Sequence, residues 1–400
     1  MSWLDDILKQ HENYESPMNF WYWSALTAIS AVVKDNVWID RYLYKLYPNV
    51  YTILYADSGL KKGPPISMAK QLVRAVGNTK IISGRSSIQG IIKELGMTET
   101  KPGGIVNTKA HGFICASELS ASLVEDKAAL DILTDLYDRI YNEGHYNSLL
   151  KMESFSLKDP TISLLGGINE AHADVMFTNK DIKGGYIGRS FIIHESQRNA
   201  INSLIDKPDF IIDYKEASEY LKELAKLRGP FAELTGTPAG SYFKNWYHEF
   251  INRIEEQKVK DPTGTLNRFS ESVMKVAMLL SLARSPELVI KLEDMEQAVD
   301  KCEQLIGNVR KTTMGSGKSQ WAQEKALIID ELMKRDNHMM TRTQLNKKYW
   351  MRASSTEWDD VMLSLEAAGI IRIETQGNQV VYVMPDEMVD EWYQHLKGRN

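Results

Sequence analysis

The spacing of apolar positions changes along the chain. It predicts a mixed α/β core, then a helical region, then a small unit of helices and strands. Trp3, Leu4, Ile7 and Leu8 keep the spacing of an amphipathic helix. Ser16-Pro17 then opens a helix over Phe20–Val33 that is apolar on every side, so Phe20, Trp21 and Trp23 read as core rather than as a stacking surface. Val37–Asp40 reads as a strand, and Val50–Tyr55 as a buried one. The latter enters a polar loop, Ala56–Gly63, and a helix opened by Pro64 and Pro65 that runs through Ala69, Leu72 and Val73. Further short strands are expected at Lys80–Ser83, Gly112–Ala116, Thr161–Ile168 and Phe191–His194, with helices at Ser86–Leu95 and Ala128–Tyr141 between them. Thr98–Lys109 reads as a polar loop and Asn142–Lys158 as a hairpin turning near Gly144.

Beyond this core, Asp213–Lys260 is charged and helical, broken by Asp261-Pro262, and Arg268–Ala283 is a helix with an apolar face at Val273, Val276, Ala277 and Leu280. The last stretch orders helix Trp321–Lys334, helix Arg342–Tyr349, helix Glu357–Ala368, strand Ile370–Glu374, a turn at Gln376-Gly377-Asn378 and strand Gln379–Met384, with Ser354 and Glu357 as a capping box. That order is a winged helix. The expected boundaries are an N-terminal region 1–48 packing on the core, a core 49–200, a helical lid 201–312, a linker 313–320 and a winged-helix domain 321–395.

The chemistry concentrates in the loop after Val50–Tyr55. A strand, a Gly-containing loop with a lysine and a following helix N-terminus can hold phosphate: backbone N–H groups turn inward and the lysine meets the outer oxygens. In the spelling G-x-x-x-x-G-K-[ST], Lys62 takes the lysine place. Ala56 then falls on the first glycine, Lys61 on the second and Gly63 where a hydroxyl is usual, while Gly59 supplies one permissive position beside Ser58. A strand, turn and helix of this kind also occur in any α/β protein. Gly112–Ala116 ends in Ser117-Glu118, a Walker B arrangement in which Glu118 can orient a water and Ser117 stands where a metal-holding Asp is usual. Thr161–Ile168 ends in Asn169, at the strand tip where nucleotide sites in open α/β sheets lie. Gly184–Arg189 leads into the next strand. A second glycine-lysine stretch, Met314–Ser319, has no strand before it and reads as linker.

Composition narrows the partners. The 400 residues carry a net charge of −5, so any nucleic-acid contact must come from a local patch. One such patch is Lys334–Arg352, where Lys334, Arg335, Arg342, Lys347, Lys348 and Arg352 face only Asp336, although Glu357, Asp359 and Asp360 would repel phosphate from the helix that follows. The two cysteines, Cys115 and Cys302, supply neither a disulfide framework nor a zinc spacing, and no apolar run reaches the length of a membrane span. An intracellular, cytoplasmic protein is expected.

In their order, the lysine loop, the strand ending in Glu118, the strand ending in Asn169 and the Gly-Arg before a further strand resemble the AAA+ ATPases of the minichromosome-maintenance-like branch. More closely, YPNVYTILYADSGLKKG, FICASELSASL, DPTISLLGGI and GGYIGRS resemble a family of phage and mobile-element primase-helicase proteins, known as a domain of unknown function, over roughly Ser16–Ala283. The resemblance implies ATP and Mg²⁺ on the Ala56–Gly63 loop, Asn169 as γ-phosphate sensor, Arg189 as a finger into a neighbour's site and Arg268 as a second sensor. It also implies a ring, expected as a hexamer, single-stranded DNA through the pore, and a primase or other replication protein as partner. Lys151 and Lys158 of the hairpin would line that pore. Two alternatives stay open: a non-hydrolysing initiator or helicase-loader scaffold, because Gly63 and Ser117 remove the usual metal ligands, and a small-molecule kinase.

Overall fold

The computed structural model describes residues 2–83, 87–96, 99–101, 104–106, 109–119, 127–138, 145–149, 154–169, 185–201, 214–256, 261, 264–315, 322–335, 337–349, 355–377 and 379–389. The chain forms two units, Met1–Thr313 and Met314–Asn400.

The first unit opens with α1 (Trp3–His11), whose Ser2 and Asp5 close a capping box. Next comes α2 (Met18–Val33), buried along almost its whole length. A helix so enclosed must satisfy its own hydroxyls. Thr27 donates to the Trp23 carbonyl and pairs with Thr52, and Ser30 pairs with Ser163, so two of the bonds that tie α2 to the sheet are hydroxyl pairs. A short hairpin of β1 (Val37–Asp40) and β2 (Lys45–Leu46) follows, its β2 arm unforeseen in the sequence because only two residues pair.

The central sheet contains β3 (Tyr51–Ala56), β4 (Lys80–Ile82), β7 (His111–Ala116), β10 (Thr161–Asn169) and β11 (Ser190–His194). They are all parallel, in the order β11-β3-β10-β7-β4. Strand residues alternate between two cores, as a period of two requires. Leu54, Ala56, Phe113, Cys115, Leu165 and Ile193 join α2 and α3 (Gly63–Val76), whereas Tyr51, Ile53, Tyr55, Ile114, Leu164 and Ile192 join α4 (Ile88–Gly96) and α5 (Lys127–Asp138). Between α4 and β7, the expected polar loop contains instead a hairpin of β5 (Glu99–Lys101) and β6 (Gly104–Val106). A hairpin is present in the expected stretch as β8 (His145–Leu149) and β9 (Ser154–Lys158), but its strands are joined between Leu149 and Ser154 and not near Gly144, which precedes β8.

The helices that follow are α6 (Tyr214–Leu224), α7 (Pro238–Glu256), α8 (Phe269–Arg284) and α9 (Leu292–Gly315). A two-residue strand, β12 (Gly229–Pro230), pairs with β1 in parallel. The sequence gives α8 a single apolar face, but it is buried on all sides from Val273 to Ala283 and shares one continuous core with α2 and α3. The expected lid is therefore packed into the same unit as the sheet. Helix α9 also continues through Thr313 to Gly315, where a linker was expected.

The second unit orders α10 (Ala322–Met333), β13 (Met339–Thr341), α11 (Arg342–Tyr349), α12 (Ser355–Ala367), β14 (Arg372–Gln376) and β15 (Gln379–Val383), its strands antiparallel in the order β13-β15-β14. Its own core holds Ile328, Leu332, Leu345, Trp358, Val361, Leu365 and Tyr382. Thr341 and Gln344 exchange backbone and side-chain hydrogen bonds at the start of α11. Ser354, expected to cap α12, lies outside the described residues.

Candidate functional site

The loop between β3 and α3 is held in shape from several sides. Gly59 takes φ +93°, which glycine adopts freely, and Lys61 takes φ +51°. Leu60 is buried and its N–H donates to the Asp57 carbonyl, while the Ser16 hydroxyl donates to the Lys61 carbonyl at 2.8 Å. Lys62 caps α3 and folds back over the loop, its Nζ donating to the carbonyls of Ala56 at 2.7 Å and Asp57 at 3.0 Å. An ammonium in that place spans the loop that an anion would occupy. Ser58, Gly59 and Lys61 are exposed, and Lys62 and Gly63 half-buried.

Helix α3 presents its N-terminus to this loop, but Gly63 is followed by Pro64 and Pro65, which carry no N–H. The helix dipole remains. The backbone donors at the phosphate end are thereby reduced to Gly63 and the loop itself, which sets this loop apart from the usual spelling as much as the missing hydroxyl does.

Strand pairing brings the other candidates to the same edge of the sheet. Because β10 lies between β3 and β7, Asn169 stands directly beside Ala56, and Gly166 beside Ala116. After Ala116 the chain crosses over β10: the Leu119 N–H donates to the Gly167 carbonyl at 2.8 Å. A Cβ at Gly167 would collide with the Ser117 carbonyl oxygen, and one at Gly166 with the Leu119 side chain. The paired glycines of TISLLGGI thus let Ser117-Glu118 lie across β10, a role the sequence did not disclose. Glu118 and Ser117 are exposed, Asn169 half-buried. Lys62, Glu118 and Asn169 therefore converge at the C-terminal edge, the edge where ligands of parallel sheets bind.

The structure adds neighbours that no local pattern marked. Glu15 approaches Lys61 at 3.9 Å and accepts from Arg198 at 3.2 Å, and Asn19 donates to Glu195 at 2.6 Å just after β11. The His194 ring lies tilted against Tyr55, with ring centroids 4.8 Å apart. These residues meet the loop only through the fold, since Arg198 and Glu15 are separated by most of the first unit.

Arg189 and Arg268 are not at this edge. Ser190 pairs with Tyr51, so Arg189 sits at the opposite, N-terminal end of the sheet, about 20 Å from the loop along β3. It is 7% exposed, donates to the Gly185 carbonyl at 2.7 Å and forms an ion pair with Asp138. A finger that reaches another subunit must present free donors; here the guanidinium is engaged inside its own chain. Arg268 precedes α8, whose first turn, through Phe269 and Ser272, borders Gly188 and Ser190 at that same far end. Arg268 is thus not brought to the Ala56–Gly63 loop.

A buried polar cluster lies beside them. Lys275 on α8 donates to the backbone carbonyl of Asn49 at 2.9 Å and to its Oδ1 at 2.8 Å, and its Nζ sits 3.9 Å from the Tyr137 ring centroid. Burial pulls its pKa down to about 7, against the opposing pull of Glu271 and Asp138.

Of the expected nucleic-acid contacts, Lys158 is exposed at the end of β9, its carbonyl accepting the Ala110 N–H at the N-terminal edge of the sheet. Lys151 and Arg352 lie outside the described residues. In the second unit most of the basic stretch is neutralised internally. Arg342 pairs with Asp359, Lys334 with Asp330, and Glu331 takes both Arg335 and Lys348. Lys347 is exposed.

No protein-family model and no curated protein compared with the chain matches it. Among the described residues, no helix is long and apolar enough to cross a membrane.

Proposed function

We propose that the first unit binds ATP on the Ala56–Gly63 loop and hydrolyses it as an AAA+-like, nucleic-acid-dependent motor of the kind used in replication of a phage or mobile element. The observation that carries this reading is the convergence of Lys62, Glu118 and Asn169 on adjacent parallel strands, with β10 inserted between the loop strand and the acidic strand. In operation Lys62 exchanges the Ala56 and Asp57 carbonyls for phosphate oxygens. Asn169 offers its amide to the terminal phosphate, and Glu118 orients the attacking water. Mg²⁺ would supply charge neutralisation between the outer phosphates. Of the residues present, Ser117 is the candidate side-chain oxygen for it, because Gly63 has none. Arg189 and Arg268, at the end of the sheet opposite the loop, serve a neighbour's phosphates in an oligomer whose subunits meet end to end, a hexamer in our reading. Arg189 then has to leave Asp138 on assembly. The second unit reads as a winged helix.

The test is hydrolysis of Mg²⁺-ATP by the purified chain with and without single-stranded DNA, using Lys62→Ala as the blank. DNA-stimulated turnover that vanishes in the variant is expected. Absence of turnover with retained binding of DNA would instead establish the scaffold reading, which the hydroxyl missing at Gly63 and the N–H donors missing at Pro64 and Pro65 favour.

A further inference from the structure

The hairpin of β1 and β2 ends in Arg41-Tyr42-Leu43-Tyr44, and this tip is built to project. Tyr42 is 96% exposed, Leu43 87% and Tyr44 46%, the most exposed contiguous apolar group among the described residues. The tip is also rigid. The Arg41 N–H donates to the Tyr44 carbonyl at 2.9 Å, the Leu43 N–H to the Arg41 carbonyl at 2.7 Å, and the Tyr42 N–H to Asp40 Oδ1 at 3.0 Å. The Tyr44 hydroxyl is anchored on Glu271 at 2.6 Å, and Lys45 lies over the Trp38 ring at 4.1 Å. Tyr42 takes φ +67°, a region costly for a residue with a bulky side chain, where a plain turn is served by Gly or Asn. A strained, fixed and solvent-exposed tyrosine next to an exposed leucine calls for a partner.

We propose that this tip is a contact site for single-stranded nucleic acid, Tyr42 stacking on an unpaired base while Arg41 and Lys45 meet the flanking phosphates. Charge decides among partners. Arg41, beside the Tyr44 hydroxyl, and Lys45, over the Trp38 ring, flank the tip on both sides, and the two nearby carboxylates, Asp40 and Glu271, are turned onto the hairpin's own donors. Aromatic rings between cations are the pattern of sequence-tolerant single-strand binding, and a duplex offers no open base face to stack on. The site is independent of the ATP reading, since its occupancy is measured without nucleotide.

The experiment is fluorescence anisotropy of the full chain with a labelled oligothymidylate of roughly 20 nucleotides, without ATP, over a series of salt concentrations. Tyr42→Ala is expected to weaken binding about tenfold, the scale of one stacked base. Tyr42→Trp should keep the affinity, and Arg41→Gln with Lys45→Gln should lower the slope of log affinity against log salt by about 1.4, or roughly 0.7 per cation. Exposure of all three side chains lets the variants fold, which their thermal melts check. Unchanged affinity in Tyr42→Ala overturns the proposal. So does loss, in that variant, of binding to phosphatidylglycerol vesicles with DNA binding intact, which would assign the tip to a lipid surface.

Discussion

Lys275 shows how one buried charge writes itself into the pH dependence of the fold. Its folded pKa of about 7 lies below the ordinary lysine value, so between pH 7 and pH 10 the unfolded chain binds a proton that the folded chain has released. Stability must then rise with pH across that window, by up to about 1.4 kcal/mol per pH unit. Above it, buried Tyr137, whose burial pushes its hydroxyl far up, works in the opposite sense as tyrosines of the unfolded chain ionise. Lys275→Met is therefore expected to remove the rise between pH 7 and about pH 9.5 while Asn49 and Tyr137 stay packed. Urea unfolding at stepped pH measures it, and a variant whose slope equals the wild-type slope would show that Lys275 keeps its charge inside. Nothing in the sequence foretold this site. Lys275 stands in the apolar run VMKVAMLL, and only the arrival of Asn49 and Tyr137 makes it a buried cation.

Single elements were legible where one pattern dictated them. Helix α2 was readable because it is apolar on every side, and β3 and β10 because both their faces are covered. The hairpins β1–β2 and β5–β6 were missed in whole or part because two or three paired residues leave no period to detect. The Ala56–Gly63 loop was legible from its lysine and the helix start from Pro64 and Pro65, which the structure places in the first turn of α3. That turn makes a prediction. Apart from its chain neighbours a Cβ at Gly63 meets nothing within 4 Å and its φ needs no glycine, so Gly63→Thr has room for the missing hydroxyl, against the crowding that Pro64 imposes on a side chain before it. If the loop holds Mg²⁺-ATP, the variant should bind a fluorescent ATP analogue several-fold more tightly with Mg²⁺ and equally without it. Equal affinity in both conditions would place the metal elsewhere. In the second unit, α10 carries Glu331, which accepts from Arg335 at 3.2 Å, Lys348 at 2.8 Å and Tyr349 at 3.1 Å. Glu331→Ala strands all three donors and is expected to cost about 1–3 kcal/mol. Lys348→Ala, at an exposed pair, should cost less than about 1 kcal/mol. Chemical denaturation followed by far-ultraviolet circular dichroism distinguishes them; equal losses would mean that the Lys348 pair carries the whole of Glu331's contribution.

At the scale of the whole molecule, the sequence supplied the order of motifs but not the ends of the sheet at which they fall. Lys62, Glu118 and Asn169 could be grouped in advance because each closes or follows a strand. Arg189 immediately precedes one, and an arginine just before a parallel strand lies at the opposite edge. This separation makes the oligomer testable. If each site takes its loop from one subunit and its arginine from the next, Lys62→Ala and Arg189→Ala are each inactive alone, but their equal mixture is not. A site then works wherever an Arg189→Ala subunit supplies the loop and a Lys62→Ala subunit the arginine. That combination should restore about a quarter of wild-type turnover at random assembly. Asp138→Asn, which weakens the hold on Arg189 without removing it, should hydrolyse at least as fast as wild type if release of that arginine accompanies assembly. A mixture that stays inactive, together with a slow Asp138→Asn variant, would make the Arg189–Asp138 pair a structural brace of a single subunit and leave hydrolysis to the residues at the other edge.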